Sequence, residues 1–189
     1  MDPIRIIEKY YSSETEAYNF LVQHSKMVAL KALEVAGRVR HLNPDIKFVE
    51  EAAMLHDIGI FLTKAPHLGC YGDNPYICHG YIGRELLEKE GFPRHAIVCE
   101  THVGVGLTVK DIEEKNFPIP KRDMTPTTIE EKIICFADKF FSKDNDPLKE
   151  KPIPRIREFI ARFGDDKLRR FDEWLRLFGY ETSLNLSQD

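Results

Sequence analysis

Six side chains able to bind or activate something stand on stretches that otherwise read as apolar helix: His24, His56, Asp57, His79, His102 and Asp138. The pair lies in AAMLHDIGIF, the next two histidines in YICHGYIG and CETHVGVG, and the last aspartate in CFADKFF. Imidazoles and carboxylates aimed at a core are costly unless something compensates them, and a divalent metal would compensate all six at once. Mixed nitrogen and oxygen donors suit Mn, Fe, Co, Ni or Zn better than Mg or Ca. Four histidines and two aspartates are enough for one ion, or for two ions roughly 3.5–4 Å apart with positions left for water or substrate. Neighbours on a helix point about 100° apart, so His56 and Asp57 can share an ion only near a helix end or through long-reaching rotamers. A carboxylate such as Asp57 can also bridge two ions, one through each oxygen.

The elements that must hold these groups are helices. Ser13-Glu14-Thr15-Glu16 has capping-box spacing and opens a long helix to about Val39, with Ala17, Phe20, Leu21, His24, Met27, Val28 and Leu30 on one buried stripe. Asn43-Pro44-Asp45 breaks it and starts a second helix carrying Val49, Ala52, Ala53 and His56, with Gly59 at a frayed end. After the turn-rich stretch from Thr63 to Pro75, Asp73-Asn74-Pro75 caps a third helix from about Tyr76 to Glu90, stopped by Gly91. Pro93 opens a fourth that ends at Gly104 and Gly106, and a short helix covers about Thr108 to Lys115. Thr128-x-x-Glu131 caps the helix bearing Asp138, and beyond the loop KDNDPLKEKPIP two more helices are separated by Gly164-Asp165. On the last of these Leu168, Phe171, Leu175 and Phe178 face the body. No strand alternation appears, so the expectation is one all-α domain over residues 1–189.

Composition narrows the partners. The 27 basic and 31 acidic residues leave a formal charge of −4, no electrostatic reason to expect a nucleic-acid polymer or an anionic membrane. The N-terminus lacks the apolar core of a signal peptide, and no run of about 18 apolar residues could span a bilayer. Cys70, Cys78, Cys99 and Cys135 show no CxxC spacing, which points to reduced, buried thiols and a cytoplasmic location. His41, His67 and His95 are expected to be structural, although His67 lies near the site.

The ordered set His24, His56-Asp57, His79, His102, Asp138 resembles the HD-domain superfamily of metal-dependent phosphohydrolases, and His56-Asp57-Ile58-Gly59 matches its HDIG variant. The likeness covers a motif-bearing core of about 20–143; a helical extension of about 153–180 lies outside it. It implies a five-helix bundle with additions. By that resemblance His24, His56, Asp57 and Asp138 would hold a first metal, and His79 and His102 a second, with Asp57 bridging. In members with one ion such histidines face the substrate phosphate instead. Ile60 follows the motif where the HD-GYP cyclic dinucleotide phosphodiesterases carry lysine, and there is no GYP loop. Phe61-Leu62-Thr63 stand where guanosine tetraphosphate hydrolases carry Glu-Asp. The chain thus looks like a short stand-alone HDIG protein.

The resemblance implies hydrolysis of a small phosphoester or nucleotide by metal-activated water, with Asp57 and His56 the ligands on which catalysis depends. Lys64, Arg84, Lys121, Arg122 and Lys139 are candidates for the phosphate, and the segments Phe61–Pro75 and Phe117–Pro126 for the mouth of the site. Tyr71 and Tyr76 could stack on a base. The same six donors also serve mixed-valence di-iron oxygenases of the superfamily, and a metal-containing binding module without turnover is a third class.

Overall fold

The computed structural model describes residues 1–143 and 148–180, so part of the loop after the Asp138 helix, and the final nine residues, lie outside the described residues. Asp2 caps a short α1 (Pro3–Ile7) that sequence patterning did not announce. α2 (Glu16–Arg38) is capped by Thr15, whose hydroxyl accepts the Tyr18 amide; Ser13 is not the cap, and Leu30 is exposed rather than part of the buried stripe. Asp45 caps α3 (Ile46–Leu55), and a tight turn over Ile58–Leu62 follows directly. The first three residues of that turn, Ile58, Gly59 and Ile60, are buried rather than frayed.

The stretch expected to be irregular contains a two-stranded antiparallel sheet, β1 (Lys64–Ala65) and β2 (Cys70–Tyr71), with Ala65 opposite Cys70. Two residues per strand are too few for alternation to show in the sequence. Asp73 and Asn74 do not cap a helix; Pro75 leads into a single 3-10 turn, Tyr76–Cys78, and α4 (His79–Lys89) begins at His79 itself. Gly91, at φ +83°, ends it, and Pro93 opens α5 (Pro93–Thr101). α6 (Val109–Glu114) carries a reciprocal capping box between Thr108 and Asp111. α7 (Ile129–Asp138), capped by Thr128, is followed by α8 (Ile153–Ala161) and α9 (Asp165–Leu177).

Two apolar clusters carry most of the burial. One joins the second half of α2 to α3, α7, α8 and α9 through Val35, Val49, Phe136, Ile156 and Phe171. The other joins α1, the start of α2, the Ile58–Leu62 turn and the hairpin through Ile7, Leu21, Ile60 and Leu68. The division runs through three elements. Leu21 and Val22 belong to the second cluster and Val28 to the first; Ala53 and Met54 to the first and Leu55 to the second; Val98 to the first and Cys99 to the second. His24, His56-Asp57 and His102 stand beside those crossovers. The polar groups therefore occupy the seam between two cores. All four cysteines are buried and free. Among the described residues no helix is long and apolar enough to cross a membrane.

Candidate metal centre

Helix ends build the site. His56 is the C-cap of α3, His79 the first residue of α4, His102 the C-cap of α5, and Asp138 the last residue of α7; only His24 lies within a helix. At a C-terminus the last carbonyls have no helical partner. His56 uses one, donating Nδ1–H to the Ala53 carbonyl at 2.7 Å, and His102 repeats this on the Cys99 carbonyl at 2.7 Å. His79 does the same with the Tyr76 carbonyl of the preceding 3-10 turn, also at 2.7 Å. Position at a helix end also solves the problem of adjacent ligands. Asp57 leaves the helix at φ −103°, so its carboxylate turns back toward the His56 ring.

Glycines let these ends approach. A Cβ on Gly59 would stand 2.3 Å from the His79 carbonyl oxygen and 2.5 Å from the Gly83 nitrogen. One on Gly80 would stand 2.8 Å from the Cys99 carbonyl oxygen. Bare backbone at both positions lets the Ile58–Leu62 turn, α4 and α5 close around the seam.

Asp57 divides its two oxygens. Oδ2 faces His24 Nε2 and His56 Nε2, each at 3.3 Å, while Oδ1 faces His79 Nε2 at 3.4 Å and His102 Nε2 at 3.2 Å. Asp138 Oδ1 completes the first group, 3.1 Å from His24 Nε2 and 3.5 Å from His56 Nε2. Two sets of donors result, each drawn within 4.8 Å and fully buried: His24, His56, Asp57 and Asp138, and Asp57, His79 and His102.

The hydrogen-bond pattern tests whether these sets suit a cation. With Nδ1–H committed to carbonyls, Nε2 of neutral His79 and His102 can offer only lone pairs, yet the two nitrogens lie 3.2 Å apart. Both Asp57 oxygens and His56 Nε2 are buried without a hydrogen-bond partner of good geometry. Imidazole and carboxylate acceptors converging on one point fit a divalent metal, with the Lys143 ammonium standing against Asp57 Oδ2 in its absence, and the cluster is compatible with binding one.

Electrostatics runs the same way. Burial pushes the His79 ring down to about 3, helped by the Lys143 ammonium, and burial likewise lowers His102. Both are neutral at pH 7, as ligands must be. Burial opposes ionisation of Asp57, but Lys143 and the surrounding imidazoles hold its carboxyl well below the usual range. Burial opposes Asp138 too, and Lys139 and Lys143 overcome it.

A cleft of about 470 Å³ opens over His79, His102 and Asp138. Of the five phosphate candidates it brings only Lys139 to the centre, where Nζ donates to Asp138 Oδ2 at 2.6 Å and to the His102 carbonyl at 3.1 Å. Arg84 and Arg122 instead clasp the buried Glu100, Arg84 Nη1 at 2.5 Å and Arg122 Nε at 2.9 Å. Lys121 pairs with Glu113 at 3.5 Å and Lys64 is exposed on β1; neither lines the cleft. Charge at a promising sequence position said nothing about which face would carry it.

The mouth is also differently made. The segment Phe61–Pro75 stays outside it, and the opposite wall is α8 and the residues before it, with Lys151, Arg155 and Phe159. Tyr76 lines the cleft with its ring 4.6 Å from that of His79, whereas Tyr71 is exposed elsewhere. His41 and His67 are exposed, and His95 packs between Phe48 and Phe92. Lys143 is the residue sequence reading missed: its ammonium lies 2.5 Å from Asp57 Oδ2. One signal was available for α8. Ile153, Ile156 and Ile160 make its buried stripe, so Phe159 and Phe163 are large apolar residues off that stripe.

Comparison with known proteins agrees with this geometry. The chain is 30% identical over 155 residues to a tRNA (cytidine(56)-2'-O)-methyltransferase of Thermoplasma volcanium, covering 77% of this chain and 41% of that protein. It is 32% identical over 121 residues to an uncharacterized protein of Methanocaldococcus jannaschii, covering 62% and 64%. A Picrophilus torridus protein with the same methyltransferase name is 30% identical over 129 residues, covering 68% and 33%. The chain thus spans less than two thirds of each of these relatives. No solved structure matches it. The HD domain family model matches residues 21–142, the span that holds all six donors, and the chain belongs to the HD domain family.

Proposed function

We propose that this protein is a metal-dependent phosphohydrolase acting on a small phosphorylated substrate. The observation that carries the reading is the buried cage of acceptors, split by the two oxygens of Asp57, at the floor of a cleft lined with lysines. Divalent ions bound there supply a water acidified to near-neutral pKa and polarise phosphoryl oxygens. Two ions are favoured over one, because each oxygen of Asp57 has its own pair of imidazoles.

The chain's own groups have separate tasks. His56, His79 and His102 are held in one tautomer by their carbonyl partners, which keeps Nε2 aimed at the seam. His24 is oriented by Phe20, whose ring stacks on it at 5.8 Å between centroids. Lys139 and Lys143 line the cleft beside the carboxylates and offer positive charge to a phosphate dianion. The methyltransferase name of two relatives belongs to chains of which this one covers 41% and 33%, and a cage of imidazoles and carboxylates suits a cation rather than a methyl group in transfer.

The test is phosphate release from a panel of phosphomonoesters and nucleotides, using metal-stripped protein resupplied with Mn, Co, Ni, Fe or Zn. Release that depends on metal and vanishes in Asp57→Ala is expected. No release with any metal, together with iron content and oxygen uptake, would replace this reading with a di-iron oxygenase. Metal uptake with neither activity would leave a binding module.

A further inference from the structure

A second cavity, about 310 Å³, continues from the catalytic cleft, with Tyr76, Lys139 and Phe159 in the walls of both. Its lining is nearly all carbon: Ile77, Val105, Leu107, Phe117, Phe159 and Phe163. Phe159 of α8 and Phe163 just beyond its end meet edge to face at 5.2 Å between centroids, yet are 54% and 47% exposed. The isoleucine stripe already packs α8 onto the body, so this aromatic pair is surplus to folding. Both residues lie beyond residue 142, where the family match ends. At the edge Lys167 pairs with Asp111 and the Val105 and Gly106 carbonyls with Arg170, while the Lys115 ammonium stands 5.0 Å from the centre of the Phe163 ring.

From this continuity we propose that the apolar arm holds the leaving group, and that the substrates are phosphomonoesters of aryl or similarly flat hydrocarbon alcohols. The proposal rests on the phosphohydrolase reading. The phosphate sits at the Lys139 and Lys143 end, and the ring slides between Phe159, Phe163 and Leu107. A nucleobase in the same arm would give up its water without recovering hydrogen bonds along its edge, whereas a hydrocarbon ring has none to lose.

Calorimetric binding of 1-naphthylphosphonate to the full chain tests this, before and after loading with Mn, against ethylphosphonate and nucleoside 5′-monophosphates. The C–P bond keeps hydrolysis out of the phosphonate measurements, and the nucleotides are compared in the metal-free protein. Naphthylphosphonate should bind about tenfold tighter than ethylphosphonate, as expected for partial burial of one ring system. Phe159→Ala and Phe163→Ala, both at exposed positions, should each erase most of that preference, and Phe163→Ala, at a position that lines the apolar arm and not the cleft, should leave ethylphosphonate unchanged. Equal affinities, a preference untouched by both variants, or tighter binding of a nucleotide would overturn the proposal. The two readings separate cleanly. Selective binding with no phosphate released from 1-naphthyl phosphate keeps the pocket and removes the hydrolase. Equal release from ethyl and naphthyl phosphate, unaffected by either variant, keeps the hydrolase and removes the pocket.

Discussion

Lys143 sets its ammonium 2.5 Å from Asp57 Oδ2, the carboxylate oxygen that also faces His24 and His56. A cation of the protein's own thus stands against the oxygen that a metal in the first set would use. Binding there must break this ion pair, so Lys143→Gln should tighten metal affinity, on the order of tenfold, by removing the competing charge. Competition against a chelator of known strength reads this directly. Unchanged or weaker affinity would show that the ammonium does not compete.

The split of Asp57 makes the two donor sets separable. His102→Ala removes a donor from only one set and should leave roughly half the metal of the wild type, while Asp57→Asn should leave almost none. Metal analysis by mass spectrometry, with helicity followed by circular dichroism, gives the stoichiometry. Identical metal content in the two variants would mean that the sets do not load independently.

Metal uptake should depend steeply on pH. Burial pushes His56 down, but Asp57 and Asp138 outweigh it and lift the ring to about 9 in the metal-free protein. A folded pKa above the unfolded one means that this charge stabilises fully below about pH 6.5, and the contribution is lost as pH rises through about 9. Ligation needs the neutral ring, so loading at pH 7 expels a proton from His56 and affinity should climb about tenfold per unit until about pH 9. Calorimetry in buffers of different ionisation enthalpy should find about one proton released from this ring at pH 7 and almost none above about pH 10. A pH-independent affinity would remove His56 from the ligands.

Gly59 is expected to be intolerant of any side chain. A methyl group there collides with backbone on α4, at the His79 carbonyl and the Gly83 nitrogen, and neither can swing aside as a flexible side chain would. Gly59→Ala should cost about 2–4 kcal/mol, a fall in Tm of roughly 5–15 °C, and should impair the His79 and His102 set before the other. Thermal unfolding beside metal content checks both parts. A fall in Tm with both sets intact would make the contact purely structural.

Much of this was legible without coordinates. The helices could be read from their caps and stripes, since Thr128, Pro93 and Gly91 act through local backbone chemistry that a few residues specify. Where local signals competed, reading failed. Thr15 and not Ser13 caps α2, and the Ile58–Leu62 turn is held by packing against α4 rather than frayed.

The sequence by itself determined the helical class and the six donor types, because a histidine or aspartate interrupting an apolar stripe is conspicuous at short range. Only the tertiary structure decided how they meet: which oxygen of Asp57 faces which imidazoles, that Lys143 and Lys139 reach the centre, and that Arg84 and Arg122 are taken by Glu100. It also decided that α8, beyond the family match, walls the cleft. Helical periodicity tells which face a side chain occupies, but not which distant helix that face will meet. That depends on how the two cores close against each other, and on two glycines, Gly59 and Gly80, that let backbone touch backbone at the seam.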